Sequence, residues 1–295
     1  MMNHLAPEFS RNLGFISTDE QDRLNQSSVA IAGAGGDGGM LALQLARLGV
    51  GELRLADPDP FEAENINRQA ACTVDTIGVN KAVAVGDYVK SINPDINVVI
   101  YEEGITSDNT AEFVSGSDLV IDETEFTIHS LGVRLARAAR AEGVPNLMAM
   151  NVGFGATVTS FMPDGMTFEK MLGFKDDEPI REIEAKQPDI SRWLPYLPPY
   201  ADLAVFEKVA AEEKSAPSIA PGVAIAASIA ASQSLLHLLK DQNNRPDPVA
   251  APKVLMMDAM TGHSKVMKLS RVNHYKSLAK MVTRSKLGLN PRASY

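Results

Sequence analysis

The chain has 295 residues, 45% of them hydrophobic and 22% charged, enough apolar material for one large α/β domain or for one domain with an elaboration. A formal net charge of -9 argues against general nucleic-acid binding, and the single cysteine, Cys72, excludes an intramolecular disulfide framework and any metal site built of cysteines alone. One cysteine, with neither a charged nor an apolar leader at the N-terminus, leads us to expect a reducing cytoplasm and no signal peptide.

Residues 1–28 read as a helical lead-in, with Phe9, Leu13, Phe15, Ile16 and Leu24 as packing candidates. Arg11 lies inside it and by composition alone is a solvated charge. From Val29 an apolar run short enough for a buried parallel strand meets glycines, and helical spacing follows from Met40. Gly33, Gly35 and Gly38 satisfy G-x-G-x-x-G, a pattern that suits phosphate at a helix N-terminus and that, alone, is also met by a tight structural turn. Residues 52–57 predict a second strand that ends in Asp57, 19 residues beyond Gly38, where a carboxylate can accept ribose hydroxyls. The Asp57-Pro58-Asp59-Pro60 run is also strong turn chemistry.

Asn65, Arg68 and Gln69 follow in a short polar stretch, and Lys81 opens a helix through about Val89. Arg68 and Lys81 can clamp a polyphosphate, one as a planar fork and the other as a point charge, or can be ordinary exposed charges. Strands are predicted at 97–101, 118–122 and 146–150, with a helix at 130–142. The acids after the second of these, Glu123 and Glu125, suit Mg²⁺ or a solvated turn. This alternation specifies a Rossmann-like, doubly wound α/β fold with a mostly parallel sheet.

Beyond residue 150 the texture changes to antiparallel strands: 156–162 alternates into a turn, and 253–259 and 264–269 flank a hairpin. Residues 173–217 carry Trp193, Tyr196 and Tyr200 among prolines, as a substrate-facing insertion or as a plug for the core. The apolar 219–239 stretch contains Pro221, Gln233 and His237, which favours a buried helix over a membrane span. The main domain is therefore expected at 29–272, with a basic tail at 273–295 that forms a frayed or partner-bound helix.

Together these stretches resemble the ThiF/MoeB superfamily of adenylating enzymes, in order and spacing, over nearly the whole chain. The resemblance implies ATP-dependent activation of a substrate carboxylate as an acyl-adenylate, with Mg²⁺. It implies that Gly33, Gly35, Gly36, Asp37 and Gly38 form the nucleotide loop and that Asp57 binds ribose, with Asp59 beside it. It further implies that Asn65, Arg68 and Lys81 hold the phosphates, and that Arg11 reaches a neighbouring subunit's site in a homodimer. Glu125 stands where the family has its metal-binding Asp, and Phe126 follows where the family has Asn. The catalytic set so implied is Arg11, Arg68, Lys81 and Glu125.

Two departures matter. The family's zinc-binding Cys-x-x-Cys pairs are missing, the first falling near Phe168 to Met171, and residues 173–217 hold no cysteine for a thioester. Direct transfer of the acyl group is therefore expected, and Cys72 is read as a packing residue. The expected partner is a peptide or a ubiquitin-like or sulfur-carrier protein, with neither nucleic acid nor membrane. Two alternatives remain open: an NAD(P)-dependent oxidoreductase, carried by the glycines and Asp57 alone, and a degenerate scaffold that pairs with an active enzyme.

Overall fold

A computed structural model describes residues 7–125, 128–211, 215–240 and 245–290. One eight-stranded sheet in the order β3-β2-β1-β4-β5-β6-β7-β8 organises them. The parallel half comprises β1 (Ser28–Ala32), β2 (Glu52–Ala56), β3 (Asn97–Tyr101), β4 (Leu119–Asp122) and β5 (Asn146–Val152). The antiparallel extension comprises β6 (Gly155–Phe161), β7 (Lys253–Asp258) and β8 (His263–Lys268). Strand β5 runs to Val152, further than the sequence pattern suggested, because its upper end pairs in a hairpin with β6.

Strand β1 is apolar along its length because both its faces are covered. Val29 and Ile31 face one core with Leu41 and Leu45, whereas Ala30 and Ala32 face a second with Phe113 and Leu135. The first core lies under α2 (Gly36–Leu48) and α3 (Lys81–Ile92), which follow the lead-in helix α1 (Thr18–Asn25). The second lies under α4 (Thr110–Val114) and α5 (His129–Ala141). From β1 the chain winds outward to β2 on one side and pairs with β4 on the other, so the carboxyl ends of β1 and β4 diverge into a crevice.

A short helix, α6 (Phe168–Leu172), precedes the inserted stretch, whose described residues fold as three more, α7 (Ile180–Glu184), α8 (Ile190–Trp193) and α9 (Leu203–Ala210). Trp193 is buried with Phe161, Phe168, Met171, Ile183 and Met281, so this aromatic plugs a core. Phe168 and Met171, where the first zinc-binding pair of the family would fall, are packed in that same core. The long helix α10 (Ala220–Leu238) has the length and composition of a membrane span and lies here against α2, β5 and β6, with Ala226, Ala227, Ala230 and Ala231 buried. Its small side chains permit the close approach.

Instead of fraying, the basic C-terminal stretch forms α11 (Arg271–Lys286), docked on the insertion. Ser277 Oγ donates to the Leu197 carbonyl at 2.8 Å and accepts from the Leu197 N–H at 2.7 Å. His274 Nδ1 donates to the Leu194 carbonyl at 2.7 Å, and Met281 is buried. Residues 291–295 of the basic tail lie outside the described residues.

Candidate active site

The crevice between β1 and β4 is floored by the glycine loop. The Gly33 N–H donates to the Ala56 carbonyl at 2.7 Å, and its φ of +97° lies in the left-handed region that favours glycine. A Cβ at Gly33 would stand 2.1 Å from the Glu123 carbonyl oxygen, and one at Gly38 would stand 2.0 Å from that of Gly33. Backbone fills both spaces. Gly35 caps α2 without a side-chain bond, which leaves the first-turn N–H groups for an anion. A Cβ at Gly36 would sit 3.2 Å from Val223 of α10, so this glycine also serves helix packing.

Asp57, at the end of β2, is buried. Its Oδ2 accepts the Ala34 N–H at 2.8 Å and its Oδ1 accepts the Asp59 N–H at 3.0 Å, so this carboxylate shapes the glycine loop. Burial raises its pKa, against the pull of the Lys81 charge. Lys81 Nζ lies 2.9 Å from Asp59 Oδ2 and 4.0 Å from Asp57 Oδ1. The Asp59 carboxylate is mostly exposed while the Lys81 side chain is largely buried. Asn80 caps α3 and donates Nδ2 to the Asp57 carbonyl at 2.9 Å, which locks this turn to the helix that carries Lys81.

Asn65 is buried, and its Oδ1 accepts the Glu62 N–H at 3.0 Å, closing the turn that presents Arg68. Arg68 Nη1 donates to Asn67 Oδ1 at 2.8 Å and to the Glu64 carbonyl at 3.1 Å. Gln69 is buried with its Oε1 lacking any partner, and its amide would lie 3.7 Å from a Cβ on Gly35. That oxygen accepts, so the partner it lacks is a hydrogen-bond donor, such as a hydroxyl or amine, and not a phosphate oxygen. Cys72 is packed in the first core with its thiol pushed up by burial, as a packing residue should be.

Asp37 stands in the first turn of α2, in the expected loop, and its side chain turns away from it. Its carboxylate faces β5 and accepts the Asn151 N–H at 2.9 Å and Asn151 Nδ2 at 3.0 and 2.9 Å, so only its backbone is available to a ligand. Burial raises its pKa to about 6, although the Asn151 bonds and the Arg68 charge pull it back. Glu123 accepts the Ala149 N–H at 3.1 Å, and burial, with Asp37 and Asp122 nearby, pushes its pKa well above the carboxylate range. Glu125 is exposed, and Phe126 lies outside the described residues.

Arg11 stands apart from all of these. It is exposed in a 3-10 turn, Pro7–Asn12, whose Phe9 ring would meet a Cβ on Gly49 at 3.2 Å. Gly49 caps the far end of α2, a helix about 20 Å long. Arg11 therefore cannot serve the crevice of its own chain.

Among the described residues no three His, Cys, Asp or Glu side chains come together as a metal-binding group. What assembles is a glycine cradle, two cations and a buried carboxylate at the sheet's switch point, an arrangement able to hold a nucleotide polyphosphate. The sequence pattern missed Asn80, Asn151, Ser218 and the bonds from Tyr196 and Tyr200 to Asp258 at 2.6 and 2.8 Å. Only Asn80 carried a signal, as an Asn directly before a helical run.

The sequence model of the ThiF family matches residues 9–278. The chain is 35% identical over 151 residues to the SAMP-activating enzyme E1 of Haloferax volcanii, covering 51% of this chain and 55% of that one. It is 33% identical over 111 residues to the adenylyltransferase and sulfurtransferase UBA4 of Candida albicans, covering 38% of this chain and 25% of that one. The chain thus spans about half the length of the first relative and about a quarter of the second. Among solved structures it matches PaaA with a TM-score of 0.62 at 25% identity, over 85% of this chain and 66% of that one. It matches E. coli MccB, solved with ATP, with a TM-score of 0.68 at 18% identity, over 92% and 73%, a likeness of fold.

Proposed function

This chain belongs to the ThiF family, and on that premise we propose that it is an ATP-dependent adenylyltransferase that activates a carboxylate of a peptide or small carrier protein. The observation that carries the reading is a glycine loop whose helix N-terminus has no side-chain cap, held at Ala34 by the Asp57 carboxylate that Lys81 Nζ approaches at 4.0 Å, with Gln69, next in sequence to Arg68, beside Gly35. The naming of two relatives as a SAMP-activating enzyme and as an adenylyltransferase supports it.

In the proposed reaction a substrate carboxylate oxygen attacks the α-phosphorus of ATP. A new P–O bond forms, the bond to the β-phosphate's bridging oxygen breaks, and pyrophosphate leaves with the electron pair. Arg68 and Lys81 neutralise charge on the phosphoryl oxygens, and the first-turn N–H groups of α2 orient them, which is catalysis by positioning and electrostatics. Glu125 is the oxygen ligand we assign to Mg²⁺, which would neutralise the leaving pyrophosphate. An acceptor nucleophile then attacks the acyl carbonyl and expels AMP. Direct transfer agrees with a chain whose one thiol, Cys72, is buried and raised in pKa.

Arg11 completes the site only from a second copy, so the active form we propose is a homodimer. A reducing cytoplasm suits the lone thiol. The test is ATP–pyrophosphate exchange by the purified chain over a panel of peptides and carrier proteins with free C-terminal carboxylates. Exchange that Lys81→Ala or Arg68→Ala abolishes supports the reading. Full exchange by either variant, or binding of NAD(H) in preference to ATP, overturns it.

A further inference from the structure

Arg68 sits on a partly exposed turn, and one of the bonds that orient it leads toward the segment that precedes α10. Its guanidinium donates to Asn67 Oδ1, and the other end of that amide, Asn67 Nδ2, donates to the Ser218 carbonyl at 3.0 Å. Ser218 Oγ donates to Asn151 Oδ1 at 2.8 Å, and Asn151 donates to the Asp37 carboxylate. An unbroken run of hydrogen bonds therefore joins Arg68 to the first turn of α2, and it passes through the residue that immediately follows the 173–217 insertion. Asn67 is exposed and its amide is used at both ends, as acceptor for the cation and as donor to Ser218.

We infer that Asn67 is a positioning residue for adenylation, which ties the orientation of the Arg68 guanidinium to the seating of Ser218, so that the nucleotide site and the segment leaving the insertion are energetically coupled. The inference rests on the reading that Arg68 holds the phosphates of ATP. Its physical basis is the bifunctional amide. If Ser218 lifts, Asn67 loses its anchor and swings freely, and Arg68 then loses a fixed acceptor that aims its planar fork. Coupling of this kind is reciprocal: ATP that fixes Arg68 must also hold Ser218 down. A substrate bound beneath the insertion and displacing residues 215–219 would thus be sensed at the phosphates without touching them.

The experiment measures ATP affinity by titration calorimetry, together with hydrogen–deuterium exchange of the peptide spanning 215–223, in the wild-type chain and in Asn67→Ala, Asn67→Gln and Arg68→Ala. We expect ATP to slow exchange in this peptide of the wild type. Asn67→Ala should weaken ATP binding about five- to tenfold and abolish the ATP-dependent slowing, with partial recovery in Asn67→Gln, which retains both amide functions. Circular dichroism melting controls for folding. An Asn67→Ala protein that binds ATP as the wild type does, or binds it weakly yet still shows the slowing, overturns the inference. If that happens while Arg68→Ala loses ATP, the adenylation reading stands without the coupling. A wild-type chain that does not bind ATP overturns both.

Discussion

The carboxylate of Asp37 accepts the backbone and the side-chain N–H groups of Asn151, joining the first turn of α2 to the end of β5 across 114 residues of sequence. The reason is a mismatch of strand lengths. Strand β4 stops at Asp122 while β5 continues to Val152, so the β5 N–H groups of residues 149 and 151 have no strand partner on that side. Glu123 takes the first and Asp37 the second. Two carboxylates finish a ladder that the backbone leaves open, and both are raised in pKa.

The first prediction concerns pH. The folded chain keeps a proton on Asp37 up to about pH 6, whereas the unfolded chain releases it near the ordinary value of 3.8. Ionisation of Asp37 therefore lowers stability as pH rises from about 4 to 6, by at most about 3 kcal/mol. Urea unfolding of Asp37→Asn should show a flatter stability profile across this window than the wild type. Parallel profiles would mean that Asp37 titrates normally.

Glycines of the loop and of the hairpin should respond differently to a methyl group. Gly38→Ala brings a Cβ against the Gly33 carbonyl at 2.0 Å, so the first turn of α2 has to move. We expect a loss of about 3 kcal/mol or more, with ATP binding abolished. Gly262→Ala meets nothing within 4 Å and carries only the strain of its φ of +67°, about 1–2 kcal/mol. Thermal denaturation of both variants beside an ATP titration checks the contrast.

Donation of Arg11 across a dimer interface has a mixing signature. Arg11→Ala and Lys81→Ala should each be inactive alone. Randomly exchanged dimers of the two should regain about a quarter of wild-type activity, because half of them contain one intact site of two. Absence of recovery after exchange verified by native mass spectrometry would exclude the in-trans role.

Asp258 anchors the insertion to the sheet. Its carboxylate is buried, which opposes ionisation, yet the bonds from Tyr196, Thr261 and Tyr200 hold its pKa below the usual value. A depressed pKa contributes stability above the unfolded-state value and loses it as pH falls. Asp258→Asn should cost about 2–3 kcal/mol at neutral pH, with the gap to wild type narrowing in acid. A gap that is constant from pH 3 to 7 would assign the loss to packing.

Much of the fold was legible in the sequence because its signals are local. Apolar runs bounded by turns marked β1, β3, β4 and the β7–β8 hairpin, and Gly33, Gly38 and Asp57 stood at spacings that a single βαβ unit fixes. The aromatics of the insertion were ambiguous. Trp193 and Tyr200 both pair an aromatic body with one polar hydrogen-bond donor, and only their surroundings make one a core plug and the other a donor to Asp258.

By itself the sequence determined the doubly wound plan and the glycine turn, since a strand, a glycine turn and a helix within about thirty residues constrain one another directly, whereas the roles of Arg68 and Lys81 rested on the resemblance to the ThiF/MoeB superfamily. The tertiary structure alone decided what Asp37, Asn67 and Arg11 do. Asp37 faces β5 because β4 ends early, Asn67 reaches Ser218 because α10 starts beside it, and Arg11 lies at the wrong end of α2 for its own crevice. Each depends on contacts between segments far apart in the chain, and no local pattern of residues encodes which distant backbone group will be left without a partner.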